Sequence, residues 1–468
     1  MINRRILMAG IGSASLATSL AASAAFARTP QLKGDWTGVL EIGSTKLRLK
    51  LAIGDGTAVL FSLDQGAQPI PATVVSLTPE KIELTFPAIQ ARYTGKLVGA
   101  DRIEGELFQG QGLPLVFLRG EAGLAEAAVQ PLTDEGLAAL RQTAGAPAMA
   151  AAARKGAGAV RSWVVGERVK GSGVAATKQD QWHLGSITKS MTATLVGRLV
   201  DAGKIKWDDS VGQVLGAAIP NMRPEYRTAT FRHLLSHRSG LPANIEMSQL
   251  MSFSQQLDDA RAERLRYAGL ALAQAPVGPA EATFTYSNDG FIVAGAMLEQ
   301  VLGKPWEVLI REHLFAPLGL ASAGFGAPGQ AGTPVQPVGH AQTPAGVTAF
   351  PVGSPVTDNP AALGPAGRVH MAMDDVLTYL AAHRDRSSLL KPETWRMLHT
   401  PPFGGEYAMG WVVTPTGALW HNGSNTLWYA EVTVNPATGK IAAAAANAVT
   451  AGSQPAVGKA LAGALAAV

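Results

Sequence analysis

The chain of 468 residues contains no cysteine and few charged residues. The absence of cysteine excludes a thiol nucleophile, a disulfide framework and a cysteine-ligated zinc or iron–sulfur centre. Charged residues make up 16% of the chain, and the formal net charge is only +4. The basic residues are scattered, so no run of them forms the phosphate-neutralising patch of a nucleic-acid-binding protein. We therefore expect no nucleic acid partner.

Long apolar runs are also missing beyond the first 27 residues, so no stretch there is expected to span a membrane. Residues 1–27 combine the pair Arg4-Arg5 with an apolar run and end in Ala25-Phe26-Ala27, a small-x-small cleavage pattern. The arginine pair is similar to a twin-arginine export signal. The alternative is an N-terminal membrane anchor, but the run is rich in glycine, serine and alanine and marginal in length. We expect a cleaved signal peptide and a soluble periplasmic or secreted protein with no stable membrane span.

The length of the chain favours two folded units. Residues 28–122 contain short segments of alternating polarity separated by turn sequences, which predicts a small all-β domain, either an antiparallel barrel or a sandwich. The predicted strands are residues 36–40, 46–51, 58–61, 81–86, 91–95 and 113–118. An alanine-rich linker over 123–132 leads to a second domain over 133–468, where strands at both ends enclose helices in an α/β arrangement.

The strongest local pattern in the second domain is Ser186-x-x-Lys189 at the start of an apolar helical repeat. A serine at a helix N-terminus lies where backbone N–H groups and the helix dipole favour negative charge. Lys189 falls on the same face within one turn, and a lysine kept neutral by burial supplies the base that a serine nucleophile needs. Taken alone, the pattern also fits an N-cap followed by a solvated charge.

Two further patterns follow at wide intervals. Tyr286-x-Asn288 precedes a second helical repeat, and a phenol near a lysine can relay a proton, while the amide can orient either a substrate carbonyl or the lysine. His421-x-Gly423 precedes strand-like residues near the C-terminus; the glycine permits close approach of a ligand, and the N–H of Ser424 can pair with that of Ser186 as an oxyanion hole. Each of these patterns is weak by itself.

In the order Ser-x-x-Lys, Tyr-x-Asn, His-x-Gly, residues from about 133 to 468 resemble the penicillin-recognising serine hydrolases, the group of class C β-lactamases, DD-peptidases, D-aminopeptidases and related esterases. Segments 234–242, 317–320 and 364–367 match the same family. The resemblance implies a mixed, mainly antiparallel sheet flanked by helices, with a separate helical lobe.

The resemblance also implies a reaction and its residues. Ser186 would be acylated, Lys189 and Tyr286 would move its proton as a coupled pair, and Asn288, His421, Gly423 and Ser424 would bind a small-molecule or peptide substrate, without cofactor or metal. His421 stands where most β-lactamases have a lysine, which argues against efficient β-lactam hydrolysis. The bond attacked, whether in an ester, a D-amino-acid peptide or a β-lactam, stays open.

Other functions are less well supported. No Gly-x-Ser-x-Gly elbow is present, which disfavours an α/β-hydrolase. His233 and His237 have the spacing of helical zinc ligands, but Leu234 replaces the glutamate that a zincin requires, so we expect the two histidines to pack beneath the site. A non-catalytic penicillin-binding sensor or scaffold that is acylated without turnover is the alternative from a different functional class.

Overall fold

The chain divides into two compact units, Met1–Ala125 and Glu126–Val468. The computed structural model describes residues 32–42, 45–63, 68–109, 111–122, 129–333, 335–354 and 356–468. The predicted signal peptide and residues 123–128 of the predicted linker lie outside the described residues, so the domain boundaries proposed from the sequence stay predictions. Within the described ranges, no helix combines the length and the apolar character that a membrane crossing requires.

The first unit is a nine-stranded antiparallel sheet with the order β4-β3-β2-β1-β9-β8-β7-β6-β5. Its strands are β1 Gly34–Ile42, β2 Thr45–Ile53, β3 Ala58–Ser62, β4 Pro69–Pro71, β5 Thr73–Leu77, β6 Ile82–Phe86, β7 Ala91–Val98, β8 Arg102–Gln109 and β9 Gln111–Arg119. Only Ala72 separates β4 from β5, so one segment carries both ends of the sheet, and the sheet is nearly a closed barrel. Its interior is apolar, with Trp36, Ile82, Leu84 and Ile103 fully buried.

The sequence analysis did not predict β4, β5 or β8. Strand β8 carries Glu104, Gly105 and Glu106 at its centre, which weakens its β signal. The structure gives the reason for the glycine, because a Cβ atom at position 105 would lie 2.5 Å from the hydroxyl of Tyr93. That hydroxyl crosses the sheet interior to donate to the carbonyl of Leu115 at 3.1 Å. The strand therefore needs glycine at position 105 to make room for Tyr93, and this glycine weakened the β pattern in the sequence.

The second unit is built on a six-stranded antiparallel sheet with the order β11-β10-β20-β19-β18-β17. Its strands are β10 Ala148–Lys155, β11 Arg161–Gly166, β17 Val412–Val413, β18 Leu419–Ser424, β19 Tyr429–Asn435 and β20 Lys440–Ala446. Two three-stranded sheets accompany it, formed by β12 Gln181–His183, β13 Gly324–Phe325 and β16 Val369–Ala372, and by β14 Gly339–Thr343, β15 Gly346–Phe350 and β21 Ala448–Val449. Small side chains on β10 and β20 alternate between two apolar clusters, so helices pack closely on both faces.

The helices of this unit cover the sheet and build the helical lobe. They are α1 Asp134–Ala144, α2 Thr188–Asp201, α3 Val211–Leu215, α4 Phe231–Leu235, α5 Met247–Leu250, α6 Arg261–Ala273, α7 Asn288–Leu302, α8 Trp306–Ile310, α9 Ala316–Leu318, α10 Gly364–Gly367, α11 Met373–Asp385, α12 Pro392–Leu398 and α13 Ser453–Ala466, with a π-helical turn at Arg311–Phe315. Helices α1 and α13 pack on one face of the large sheet, and α2 and α11 contribute to the cluster on the other. The predicted α/β architecture with a preceding all-β unit is confirmed.

Helices α2 and α7 begin at the two strongest sequence patterns. The apolar positions of the α2 repeat are fully buried, and Gly203, the predicted stop, adopts a φ of +68° just beyond the helix. Helix α7 begins at Asn288, where the side chain of Ser287 accepts the N–H of Gly290 at 3.1 Å as an N-cap. The hydroxyl of Ser287 in turn donates to the carbonyl of Pro242 at 2.5 Å. Local capping therefore fixes the segment that carries Tyr286 and Asn288.

Candidate active site

Ser186 lies in a 3₁₀ turn, Gly185–Ile187, that leads directly into α2. Gly185 adopts a φ of +49°, and a Cβ atom there would lie 2.4 Å from the backbone nitrogen of Ser424. Both the left-handed backbone and the close approach of a strand end therefore require glycine. The turn presents the half-buried hydroxyl of Ser186 at the N-terminus of a 14-residue helix. Developing negative charge is stabilised at that position.

Lys189 is fully buried one turn further along α2. Its Nζ lies 3.0 Å from Oγ of Ser186, 2.6 Å from Oδ1 of Asn288 and 2.8 Å from the carbonyl oxygen of Ala366. The amide and carbonyl oxygens accept only, so they take two N–H groups, and a neutral amine keeps its lone pair for the hydroxyl of Ser186. Burial lowers the pKa of Lys189 well below its ordinary value. The geometry and the pKa together favour the proton-accepting form of the lysine.

Tyr286 reaches the same hydroxyl from the segment before α7. The residue is 37% exposed, whereas its phenolic group is buried beside Ser186. Burial raises the pKa of Tyr286 to about 12, although the interaction with Ser186 opposes the shift. Nζ of Lys189 lies 4.9 Å from the centroid of the tyrosine ring. The two pKa shifts are opposite: that of the amine is lowered, which favours its neutral form, whereas that of the phenol is raised, so the phenol keeps its proton at neutral pH.

Asn288 occupies the first position of α7 and is half-buried. Its Oδ1 accepts from Lys189, and its Nδ2 donates to Oδ1 of Asn244 at 2.8 Å. The sequence left open whether this amide orients a substrate carbonyl or the lysine, and in the structure it contacts the lysine. The predicted contact of Asn288 with substrate is not tested by these bonds and stays a prediction.

The end of β18 runs against the turn that carries Ser186. A Cβ atom at Gly423 would lie 2.6 Å from the backbone nitrogen of Ser186, so the two backbones approach as closely as glycine allows. This approach brings the peptide groups of Ser186 and Ser424 together, while Oγ of Ser424 accepts the N–H of Thr426 at 3.0 Å. A pair of backbone N–H groups beside a nucleophile can stabilise the oxyanion of acyl transfer.

His421, two residues earlier on β18, is buried beside these groups with both ring nitrogens occupied. The hydroxyl of Tyr407 lies 2.9 Å from Nε2, and the carbonyl oxygen of Asn422 lies 2.5 Å from Nδ1. Since a carbonyl only accepts, Nδ1 carries the proton and Nε2 accepts from Tyr407. Burial, helped by nearby Lys189, lowers the pKa of His421 to about 3. His421 therefore borders the site as a neutral ring, without the positive charge of the lysine that most β-lactamases have there.

The two histidines of segment 234–242 and its flank serve different contacts. The ring of His237 is buried, with its centroid 4.3 Å from that of Tyr286, and its Nδ1 accepts the N–H of Ser287 at 3.0 Å. His233 instead contacts Thr230 at 2.8 Å and Glu281 at 3.1 Å. Across the residues that the structure describes, no group of three or more histidine or acidic side chains forms a metal site.

Several residues of the site were not identified from the sequence. Ala366, which accepts from Lys189, acts through its backbone carbonyl, and a carbonyl leaves no residue-type signal, although segment 364–367 was recognised. Tyr407 and Asn244 stand in loops without a pattern and become visible only through their bonds to His421 and Asn288. Asp358, whose buried side chain lies 3.1 Å from Nε2 of His183, was also missed.

The sequence model of the family described as Beta-lactamase matches residues 129–466. The match covers most of the chain and all of the residues described in this site, and the chain belongs to the β-lactamase family. The resemblance inferred from the sequence motifs is thereby confirmed. Members of this family include serine hydrolases such as amidohydrolases, esterases and carboxypeptidases.

Penicillin-binding protein 4 of Amycolatopsis lactamdurans is 31% identical to this chain over 233 residues, covering 46% of this chain and 54% of the relative. The chain therefore spans about half the length of that curated relative. A D-stereospecific amidohydrolase from Streptomyces sp. aligns with a TM-score of 0.56 at 24% identity, over 71% of this chain and 98% of that chain. EstCE1, described as a hydrolase with promiscuous acyltransferase activity, aligns with a TM-score of 0.57 at 21% identity, over 71% and 99%. At these identities the two structures show a shared fold.

Proposed function

We propose that this protein is a serine hydrolase that cleaves ester or amide bonds through an acyl-enzyme on Ser186. The observation that carries the proposal is the set of contacts around Lys189. Its buried amine donates to Oδ1 of Asn288 and to the carbonyl oxygen of Ala366, and it lies 3.0 Å from the hydroxyl of Ser186. A serine next to a buried base, at the N-terminus of a helix, is the arrangement that nucleophilic catalysis requires.

In the proposed acylation, Oγ of Ser186 attacks the substrate carbonyl carbon and its proton passes to Nζ of Lys189. The carbonyl oxygen becomes an oxyanion and accepts hydrogen bonds from the N–H groups of Ser186 and Ser424. When the intermediate collapses, the bond to the leaving group breaks, and the leaving oxygen or nitrogen takes a proton from Tyr286. Lys189 then returns a proton to the tyrosine. The serine proton thus ends on the leaving group, and the opposite pKa shifts of the amine and the phenol match these two tasks.

Deacylation reverses the proton path. Water loses a proton to the Lys189 and Tyr286 pair and attacks the acyl carbon, the bond to Oγ of Ser186 breaks, and the serine recovers a proton from the same pair. The sequence left open which of the two residues is the primary base. We assign that role to Lys189, because its pKa is lowered whereas that of Tyr286 is raised to about 12.

The neutral state of His421 bears on the substrate. A cation at this position would attract the carboxylate of a β-lactam or a peptide C-terminus, but the ring is neutral and engaged by Tyr407. We therefore propose uncharged esters as the substrates that react most readily, with D-amino-acid amides next and β-lactams last. The D-stereospecific amidohydrolase offers a precedent for amide cleavage on this fold.

The test is turnover of a short-chain p-nitrophenyl ester, a D-alanyl p-nitroanilide and a chromogenic cephalosporin by the purified chain, with intact mass recorded in parallel. We expect the ester to turn over and Ser186→Ala to reduce the rate by at least about 10⁴-fold. Ser252→Ala, which removes an exposed serine hydroxyl from the helical lobe, is the matched control. A stable adduct on Ser186 without turnover would instead identify the penicillin-binding sensor, and the absence of both signals would refute catalysis.

We also propose export of the chain, on the basis of the Arg4-Arg5 pair and the Ala25-Phe26-Ala27 pattern. N-terminal sequencing of the protein from a periplasmic fraction is expected to begin at Arg28. An intact N-terminus in the cytoplasmic fraction would contradict the proposal.

A further inference from the structure

Three chain segments far apart in sequence supply the parts of the proposed site. The turn after β12 carries Ser186, the end of β18 carries Ser424, and α10 carries Ala366, whose carbonyl accepts from Lys189. Each segment has a polar side chain within three residues of its functional group. These side chains are His183 on β12, Asn425 after β18 and Arg368 after α10.

All three of these side chains converge on one buried carboxylate, that of Asp358, which is 4% exposed. Oδ1 of Asp358 lies 3.1 Å from Nε2 of His183 and accepts from Nδ2 of Asn425 at 2.9 Å. Oδ2 accepts from Nε of Arg368 at 3.1 Å. Burial opposes ionisation, but His183 and Arg368 outweigh it and hold the pKa of Asp358 below its usual value. The carboxylate is therefore charged at neutral pH and bonded at both oxygens.

The bonds continue from these side chains to the functional backbone. Nδ1 of His183 accepts the N–H of Gly185 at 3.1 Å, immediately before Ser186. Oδ1 of Asn425 accepts the N–H groups of Leu427 and Trp428, both at 3.1 Å, and so shapes the turn that follows Ser424. The carboxylate is thus connected through a single side chain to each of the three segments that the reaction uses.

We infer that Asp358 is a positioning residue that holds the Ser186 turn, the Ser424 strand end and the Ala366 segment in register with one another. The inference rests on the proposed function, since positioning has a consequence only if the site reacts. Both oxygens of a carboxylate accept, whereas an asparagine amide accepts on one side and donates on the other. Asp358→Asn therefore keeps the volume of the side chain but sets an N–H group against Arg368 or against His183 and Asn425.

The kinetic expectation follows from what the three segments contribute. A misplacement of about 1 Å in a reacting constellation reduces the rate by about 100-fold. The oxyanion contacts and the serine–lysine contact act mainly in the transition state, so we expect Asp358→Asn to lower kcat for the p-nitrophenyl ester by about 100-fold with KM unchanged. A merely structural role would lower the melting temperature and the active fraction while leaving kcat per active site unchanged.

The matched control is Asp180→Asn. Asp180 is also fully buried and bonded to an arginine, with Oδ1 2.6 Å from Arg168, and its other side-chain partner is Thr177. We would measure kcat per titrated site and KM for both variants, and backbone hydrogen exchange over residues 183–187, 364–368 and 424–428. In Asp358→Asn we expect kcat to fall and exchange to accelerate in all three segments; in Asp180→Asn we expect neither change.

The outcomes separate the inference from the proposed function. Unchanged kcat per site in Asp358→Asn, or faster exchange confined to one segment, would overturn the positioning role. If the wild-type chain hydrolyses none of the substrates, the proposed function fails, and the exchange pattern alone still decides whether Asp358 joins the segments. If Asp358→Asn does not fold, Asn425→Ala replaces it. That variant removes the bond to Asp358 together with the bonds from Leu427 and Trp428, so exchange over 424–428 is expected to accelerate in any case. The deciding readout is kcat, which we expect to fall by less than in Asp358→Asn; an unchanged kcat would reject the link.

Discussion

The two compact units of the chain differ in what they bury. Within the described part of residues 32–122, the buried hydroxyl groups belong to Thr37, Ser62 and Tyr93, and the rest of the buried interior is apolar. The second unit buries titratable side chains, among them Lys189, His237, Asp358 and His421. Burying an ionisable group costs free energy unless its partners compensate. Buried titratable groups are therefore candidates for functional positions.

Not every buried charge in the second unit is of this kind, and Arg264 shows the difference. Its guanidinium is fully buried but ion-paired with Glu299 and with Glu307, so its charge is neutralised within the helical lobe. Lys189 is equally buried, yet among the described residues no carboxylate lies within ion-pair distance of it, and its partners are neutral oxygens. The ion-paired arginine keeps its charge, whereas burial lowers the pKa of Lys189 and favours its neutral form.

The strongest test of this contrast is Lys189→Met, which keeps an unbranched side chain of similar size and removes its amine. We expect kcat/KM for the ester to fall by about 10⁴-fold, because the base is lost, while the fold persists. Stopped assays with the p-nitrophenyl ester, with circular dichroism as a check on folding, measure both. Lys206→Met, at an exposed lysine, is the control. Loss of less than tenfold would place the base elsewhere.

The first unit is expected to respond in the opposite way. Ile103→Ala leaves a cavity in its apolar interior and should reduce the free energy of unfolding of that unit by about 2–5 kcal/mol. Ester turnover below the transition is expected to stay unchanged, since the residues of the proposed site all lie beyond residue 128. Denaturant titration and initial rates provide the two readouts. Val75→Ala, at an exposed position, should change neither by a measurable amount.

The sequence was sufficient for the parts of the site that act through side chains at short spacing. Ser186 and Lys189 lie one helical turn apart, so an i, i+3 pattern predicts their contact, and the helix starts near Tyr286 and Asn288 were visible from capping and periodicity. The carbonyl of Ala366 and the N–H of Ser424 belong to the backbone, so the residue type does not predict their roles. Asp358 and Tyr407 acquire their partners only through the tertiary fold.

His421 shows that the sequence can predict a site residue without predicting its partners or its charge. Its position predicted a place at the site, but its neutral state depends on burial in the folded chain, where the hydroxyl of Tyr407 occupies Nε2. Tyr407→Phe leaves this buried acceptor without a donor and should cost about 1–3 kcal/mol of unfolding free energy. Tyr407→Phe combined with His421→Phe should recover part of that loss, because both partners of the bond are removed. Purely additive losses in a denaturant double-mutant cycle would contradict the coupling.

The smallest expected effect is a dependence of the unfolding free energy on pH. It distinguishes Lys189 from the other groups of the site whose pKa values are shifted. The pKa of Lys189 is lowered in the folded chain, so between that value and the ordinary value of about 10.4 the unfolded chain binds one more proton. In this window the free energy of unfolding rises with pH, by at most about 1.4 kcal/mol per pH unit. His237 and His421 have lowered pKa values and are neutral in both states above about pH 7.5.

Tyr286 also contributes no slope in that range. Its folded pKa is raised to about 12, so its contribution is complete below the unfolded value of about 10 and is lost only as pH rises above it. Between pH 7.5 and 9.5, the unfolding free energy of the wild-type chain minus that of Lys189→Met should therefore increase with pH. Denaturant titrations of both chains at matched pH values measure that difference. Parallel curves would mean that Lys189 is equally protonated in the folded and unfolded chains, and the proposed base would then lack its neutral form.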